Sequence, residues 1–196
     1  GSAVGLLLLL RISERWHTDR PRLDGLMLAW IATMSLLAWL HTLGPIYVFS
    51  FGMALLLATV RADWRERDWA VFVLAHVAVM NVWLPSLRIL LTQLTDWQET
   101  GWLGFVPSAL PSTLAITYFE NSWLGAVLTL VMAVAGYITL GAWGLSRRIR
   151  LAIALVAILP VAIAAYMSIT VSPGLLPRTL NGCAVSVMII VAAGFW

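Results

Sequence analysis

The side chains with the greatest chemical capacity gather in one stretch, Thr92 to Asn121. It holds Gln93, Asp96, Gln98, Glu99 and Glu120, with Trp97 and Trp102 inside it and Trp123 just beyond. Carboxylates and amides inside an aromatic rim are the groups that hold a sugar or lipid headgroup by hydrogen bonds and stacking. Gln93, Asp96, Trp97, Glu99, Trp102 and Glu120 are therefore the candidates for substrate or headgroup contact. A solvated loop with tryptophans anchored at a membrane interface explains the same residues and stays open as the plainer alternative. A second charged run, Arg61-Ala-Asp-Trp-Arg-Glu-Arg-Asp-Trp69, alternates three arginines with Asp63, Glu66 and Asp68. Such alternation predicts a short interfacial helix held by local ion pairs, and Arg61, Arg65 and Arg67 become candidates for a cytoplasmic partner such as an ATPase.

Elsewhere the chemistry thins out. His17, His41 and His76 are too scattered to pair on a haem or a metal, and Cys183 is a lone cysteine in an apolar run. It is expected to be a small buried residue. His76 is expected to be a hydrogen-bonded packing residue, with a proton relay as its alternative. There is no glycine loop for phosphate, no serine elbow and no pair of metal-ligand histidines, so neither a cofactor nor a metal is expected.

The elements that position these residues follow from composition. Of 196 residues, 61% are apolar and 11% charged, against about 25% charged in an average soluble domain. Mean hydropathy is +0.92. Nine acids and twelve bases cannot coat a soluble core of this length, so lipid is the solvent that accepts the apolar surface. Every base is an arginine, and the arginines punctuate apolar runs instead of forming a basic face with interleaved aromatics. Nucleic-acid binding is thereby set aside.

The expected fold is all-α, a polytopic transmembrane bundle of about six spans near residues 25–42, 45–61, 70–91, 122–145, 151–172 and 180–196. Gly44-Pro45 divides the long run from Gly25 to Val60 into a hairpin. Phe105 to Phe119 is interrupted by Pro107 and Pro111, so a re-entrant or interfacial segment beside a polar crevice is expected there. Ala3 to Leu10 is about 12 Å of helix, too short to cross a core of about 30 Å alone. It is followed by arginines, which is not the order of a signal peptide. Both ends read as cut, and a longer parent chain is expected.

Arginine position sets the threading, because short cytoplasmic loops concentrate this residue. Arg11, Arg15, Arg20 and Arg22 precede the first span, Arg61, Arg65 and Arg67 follow the second, and Arg147, Arg148 and Arg150 follow the fourth. With six spans all ten fall on one side, leaving 92–121 on the other. A bacterial inner membrane is the expected location, with membrane lipid and further domains or subunits of one assembly as partners.

Trp83-Leu84-Pro85, Gln93, the long outer loop, Asn121-Ser-Trp and the span ending at Arg147-Arg148-Ile149-Arg150 follow one another in a familiar order. Over residues 40 to 165 this order resembles the membrane half of envelope phosphoethanolamine transferases of the alkaline-phosphatase superfamily, the cellulose-modifying type. The resemblance implies a headgroup transferase whose catalytic metal-dependent domain, with its threonine nucleophile, would lie outside these residues. No catalytic residue carries over, and the sixth span is additional to that pattern. Three hairpins with a charged bend after the second span also resemble six-span permeases of ATP-driven exporters. Three function classes stand: a transport or lipid-export permease acting at the outer leaflet, the membrane domain of a headgroup transferase, and a sensor or anchor for a soluble domain.

Overall fold

The computed structural model describes residues 2–40, 44–100, 123–170 and 181–195, with side chains described for all but 90, 93–100, 126, 168–170 and 181–182. Seven helices and no strand occur among the described residues: α1 (Ser2–Thr18), α2 (Gly25–Leu40), α3 (Gly44–Thr59), α4 (Glu66–Thr100), α5 (Trp123–Ala142), α6 (Arg147–Thr170) and α7 (Asn181–Ala193). Three stretches, Glu66–Ile89, Trp123–Ala142 and Arg147–Met167, are long and apolar enough to cross a membrane. Gly25–Leu40, Gly44–Thr59 and Cys183–Ala193 are shorter apolar helices.

The apolar surface points both ways. Leu9, Trp30, Met34, Phe51, Leu55 and Val156 are fully buried between helices. At the same time α5 exposes Leu124, Val127, Leu128, Val131, Val134 and Ile138, and α4 exposes Val73, Leu74, Val77, Met80 and Leu84. In water this outer surface would far exceed the patches a monomer tolerates; against acyl chains it costs nothing. Four hydroxyls turn back on their own helices. Ser13 donates to the Leu10 carbonyl, Ser50 to Ile46, Thr59 to Leu55 and Thr139 to Ala135, at 2.6 to 3.0 Å. Each of these four is thus satisfied without water, whereas the buried Ser35 and Ser186 hydroxyls have no partner among the described residues.

Helix α3 packs on α6, α2 on α4, α5 on α7, and α1 against α2 and α3. The tightest approach is between α5 and the end of α7. A Cβ built on Gly136 would overlap the Ile190 carbonyl oxygen, and one on Gly194 would overlap the Met132 carbonyl. Two glycines therefore set this crossing, as small residues do where backbones touch in membranes. Helix α5 ends in a turn in which Gly144 has φ +87°, and the Leu145 N–H donates to the Leu140 carbonyl. This is the left-handed position that glycine takes at helix ends.

The structure corrects three expectations. The first apolar run does not stop at Leu10: α1 continues through Thr18, about 25 Å long, and buries Leu6, Leu9, Ile12, Ser13 and Trp16 on one stripe. Arg11, Arg15 and His17 lie on this helix, not in a loop. The stretch from Thr92 does not begin as a loop either, because α4 runs unbroken to Thr100, with Pro85 inside it. Nor is the run 61–69 a short helix with ion pairs one turn apart. Residues 60–65 are non-helical, α4 begins at Glu66, and beside the local Arg61–Asp63 pair the ion pairs there reach across the sequence to Arg20. The helix break at Gly44-Pro45 is found where the sequence places it, with Pro45 in the first turn of α3. The segment 105–119 lies outside the described residues.

Candidate functional site: an arginine-lined crevice and a buried polar pair

Charge at one end of the bundle is organised around Asp68. As the third residue of α4 it accepts the Arg65 N–H at 2.8 Å, the backward half of a capping box. The same oxygen, Oδ2, accepts Arg20 Nη1 at 2.8 Å, and only 4% of the Asp68 side chain is exposed. Arg20 also donates to the Asp63 carbonyl oxygen (2.7 Å) and to Asp63 Oδ2 (3.2 Å). Arg61 donates to the His17 carbonyl oxygen at 3.0 Å and to Asp63 Oδ2 at 3.1 Å. Arg148 donates to the Val60 carbonyl oxygen at 2.7 Å. These bonds bring the three arginine-bearing segments, 11–22, 61–67 and 147–150, to the same end of the bundle. Here lies the physical counterpart of the arginine counting.

On the α1–α2 connection, Asp24 caps α2 by accepting the N–H groups of Leu26 and Met27 at 3.0 and 3.1 Å. Its other oxygen lies 2.8 Å from Arg15 Nη1. Arg22 pairs with Asp19 at 3.0 Å. Between this connection and the start of α4 lies a crevice of about 350 Å³ lined by Asp19, Arg20, Pro21, Arg22, Arg65, Arg67 and Asp68. Arg65 and Arg67 are exposed and make no ion pair among the described residues. Beside it Trp64 packs edge-on against Trp16 (6.1 Å) and Trp69 (5.0 Å). In the sequence Arg20 and Arg22 bear only on the threading and nothing marks the crevice they line, although Asp19-Arg20-Pro21-Arg22 and Arg65-Glu-Arg67 are its signal.

A second polar feature sits between α2, α3 and α4. His76 Nδ1 lies 2.8 Å from the Phe72 carbonyl oxygen, so the ring proton belongs on Nδ1 and Nε2 is left as an acceptor. Trp30, edge-on to His76 at 6.4 Å, has an Nε1–H donor. Both atoms are buried without a hydrogen-bond partner. Gly52 makes room for the imidazole, since a Cβ there would stand 2.8 Å from Nε2. Phe72 and Phe51 supply the apolar walls, 4.3 Å from His76 and 6.2 Å from Trp30. His76 is half-buried and bonded to its own helix, as a packing residue would be, while its unpaired nitrogen goes beyond that role.

Of the outer candidates, Gln93, Asp96, Trp97 and Glu99 occupy the last turns of α4, whose 35 residues carry them roughly 40–50 Å along the helix from Glu66. Trp102 and Glu120 lie outside the described residues. Cys183 is buried, with its Sγ 3.9 Å from the Tyr47 hydroxyl. No group of three metal-ligating side chains occurs among the described residues. No family model matches the chain, and searches among curated proteins and solved structures found no match either.

Proposed function

We propose that the chain is a multi-pass protein of a bacterial inner membrane, a permease-like bundle that moves a lipid or a small neutral solute. The observation that carries this reading is the pair formed by Trp30 Nε1 and His76 Nε2, a buried donor beside a buried acceptor, both unpartnered. An unpaired buried polar group costs about 1–3 kcal/mol. A fold that holds two of opposite sense together between aromatic walls suits a guest offering both a donor and an acceptor, such as a hydroxyl, an amide or a lipid glycerol. Ion carriage is less suited, because the spans described carry no buried charge except Asp68 in the first turn of α4. The arginine end faces the cytoplasm in this reading, and the end of α4 with Gln93, Asp96, Trp97 and Glu99 meets the outer leaflet.

The test uses the full chain reconstituted into vesicles that contain a fluorescent-headgroup phospholipid, with dithionite quenching as the readout. Protein-dependent access of dithionite to inner-leaflet lipid is expected, with a reduced rate for Trp30→Phe and His76→Leu. Access no greater than in protein-free vesicles would remove lipid movement. Glu99→Ala and Glu120→Ala form the second arm: if they impair movement more than His76→Leu, the outer segment and not the junction holds the specificity.

A further inference from the structure

We infer that the crevice between the α1–α2 connection and the start of α4 is a binding site for a phosphomonoester dianion, presented as the headgroup of a lipid in the arginine-side leaflet. This inference does not rest on the transport reading. Four arginines and two aspartates line the crevice. Asp68 is already held by Arg20 and the Arg65 N–H, and Asp19 by Arg22. Four guanidinium groups against two carboxylates leave the lining with two positive charges in excess; Arg65 and Arg67 are exposed and make no ion pair among the described residues, and Arg65 also acts on Asp68 through space. An excess of two positive charges matches a phosphomonoester, which carries about −1.5 to −2 at neutral pH. A carboxylate or a phosphodiester brings only one negative charge. Guanidinium forks also fit the oxygens of a phosphate two at a time.

Size and position narrow the source. A volume of about 350 Å³ lies at the lower end of the range for small-ligand sites, about 300–1,000 Å³, which suits a headgroup better than a nucleotide. Trp64 and Trp69 bracket Arg65 and Arg67 in sequence, and Trp69 is exposed. Tryptophan marks the headgroup level of a bilayer, so the Arg65 and Arg67 guanidinium groups stand where a lipid phosphate would be.

The test is a binding titration of the full chain in neutral detergent with short-chain phosphatidic acid, short-chain phosphatidylcholine and inorganic phosphate. Saturable binding of phosphatidic acid and none of phosphatidylcholine is expected. The double substitution Arg65→Gln/Arg67→Gln should weaken it at least about tenfold, and Arg11→Gln, on an exposed pair outside the crevice, should leave it unchanged. Should the glutamine pair not fold, Arg65→Lys/Arg67→Lys takes its place, with weaker binding expected from loss of the fork. If inorganic phosphate fails to compete, the ligand is the lipid headgroup; if it competes at similar concentration, the dianion assignment stands with a soluble phosphomonoester as its source. Equal binding of phosphatidylcholine, or full affinity in the folded double variant, overturns the inference.

Discussion

Arg20 Nη1 stands 2.8 Å from Asp68 Oδ2 across 48 positions of sequence, tying the α1–α2 connection to the first turn of α4. The partners differ in exposure: 47% of the Arg20 side chain is exposed, but only 4% of the Asp68 side chain. That asymmetry makes the two halves of the pair unequal when cut.

Arg20→Gln leaves a buried carboxylate short of its charged donor, and a loss of about 1–3 kcal/mol is expected. Asp68→Asn should cost less, because its amide oxygen can still accept the Arg65 N–H and the freed arginine is in contact with water. Unfolding midpoints in detergent check the order, and a costlier Asp68→Asn would show that burial of the carboxylate is not the controlling feature.

Asp24→Ala removes the acceptor for the Leu26 and Met27 N–H groups at the start of α2. Loss of a cap of this kind costs about 1 kcal/mol, with up to about 2 kcal/mol seen. Here Arg15 also loses its 2.8 Å partner, so the upper part of that range is expected in the same unfolding measurement.

Gly136→Ala should destabilise by about 1–3 kcal/mol, the usual cost of forcing atoms into a filled interior. The added methyl meets the backbone of Ile190, which cannot swing aside as a side chain can. Gly25→Ala is the control, since nothing lies within 4 Å of its Cβ position. Thermal stability that is equal in the two variants would remove the backbone crossing of α5 and α7.

Threading is open to labelling on a Cys183→Ala background. Single cysteines at Glu66 and Ser146 should react with a membrane-impermeant thiol reagent from one side of the membrane, and a cysteine at Gln98 from the other. Glu66 and Ser146 are exposed near the same arginine-bearing end, and Gln98 is at the far end of α4. Labelling of Glu66→Cys and Gln98→Cys from one side would contradict a crossing by α4.

How far the sequence could lead is visible in α1. Its buried residues Leu6, Leu9, Ile12, Ser13 and Trp16 recur every three or four positions, so the helical stripe was legible. The uninterrupted apolar run nevertheless ends at Leu10, because Arg11, Glu14 and Arg15 occupy the outer face of the same helix. The continuation of α4 to Thr100 had no comparable signal. Gln93 to Thr100 is polar enough for a loop, and helix persists through residues that favour neither state strongly.

Sequence alone determined the all-helical, strongly apolar character of the chain and the break before α3 at Gly44-Pro45, since hydropathy and proline geometry act locally or on whole segments. Only the tertiary structure decided which charge answers which. Arg20 and Asp68 lie on separate elements, and nothing in the spacing distinguishes Asp68 from Asp63 or Glu66 until the chain has packed. The same holds for Trp30 and His76: each is an ordinary residue within an apolar run, and their complementary unpaired nitrogens exist only because α2 and α4 are placed side by side with Gly52 of α3 beneath the ring. Direct contacts of this kind act over a few ångströms, and partners far apart in sequence come within that distance only once the helices are arranged in three dimensions.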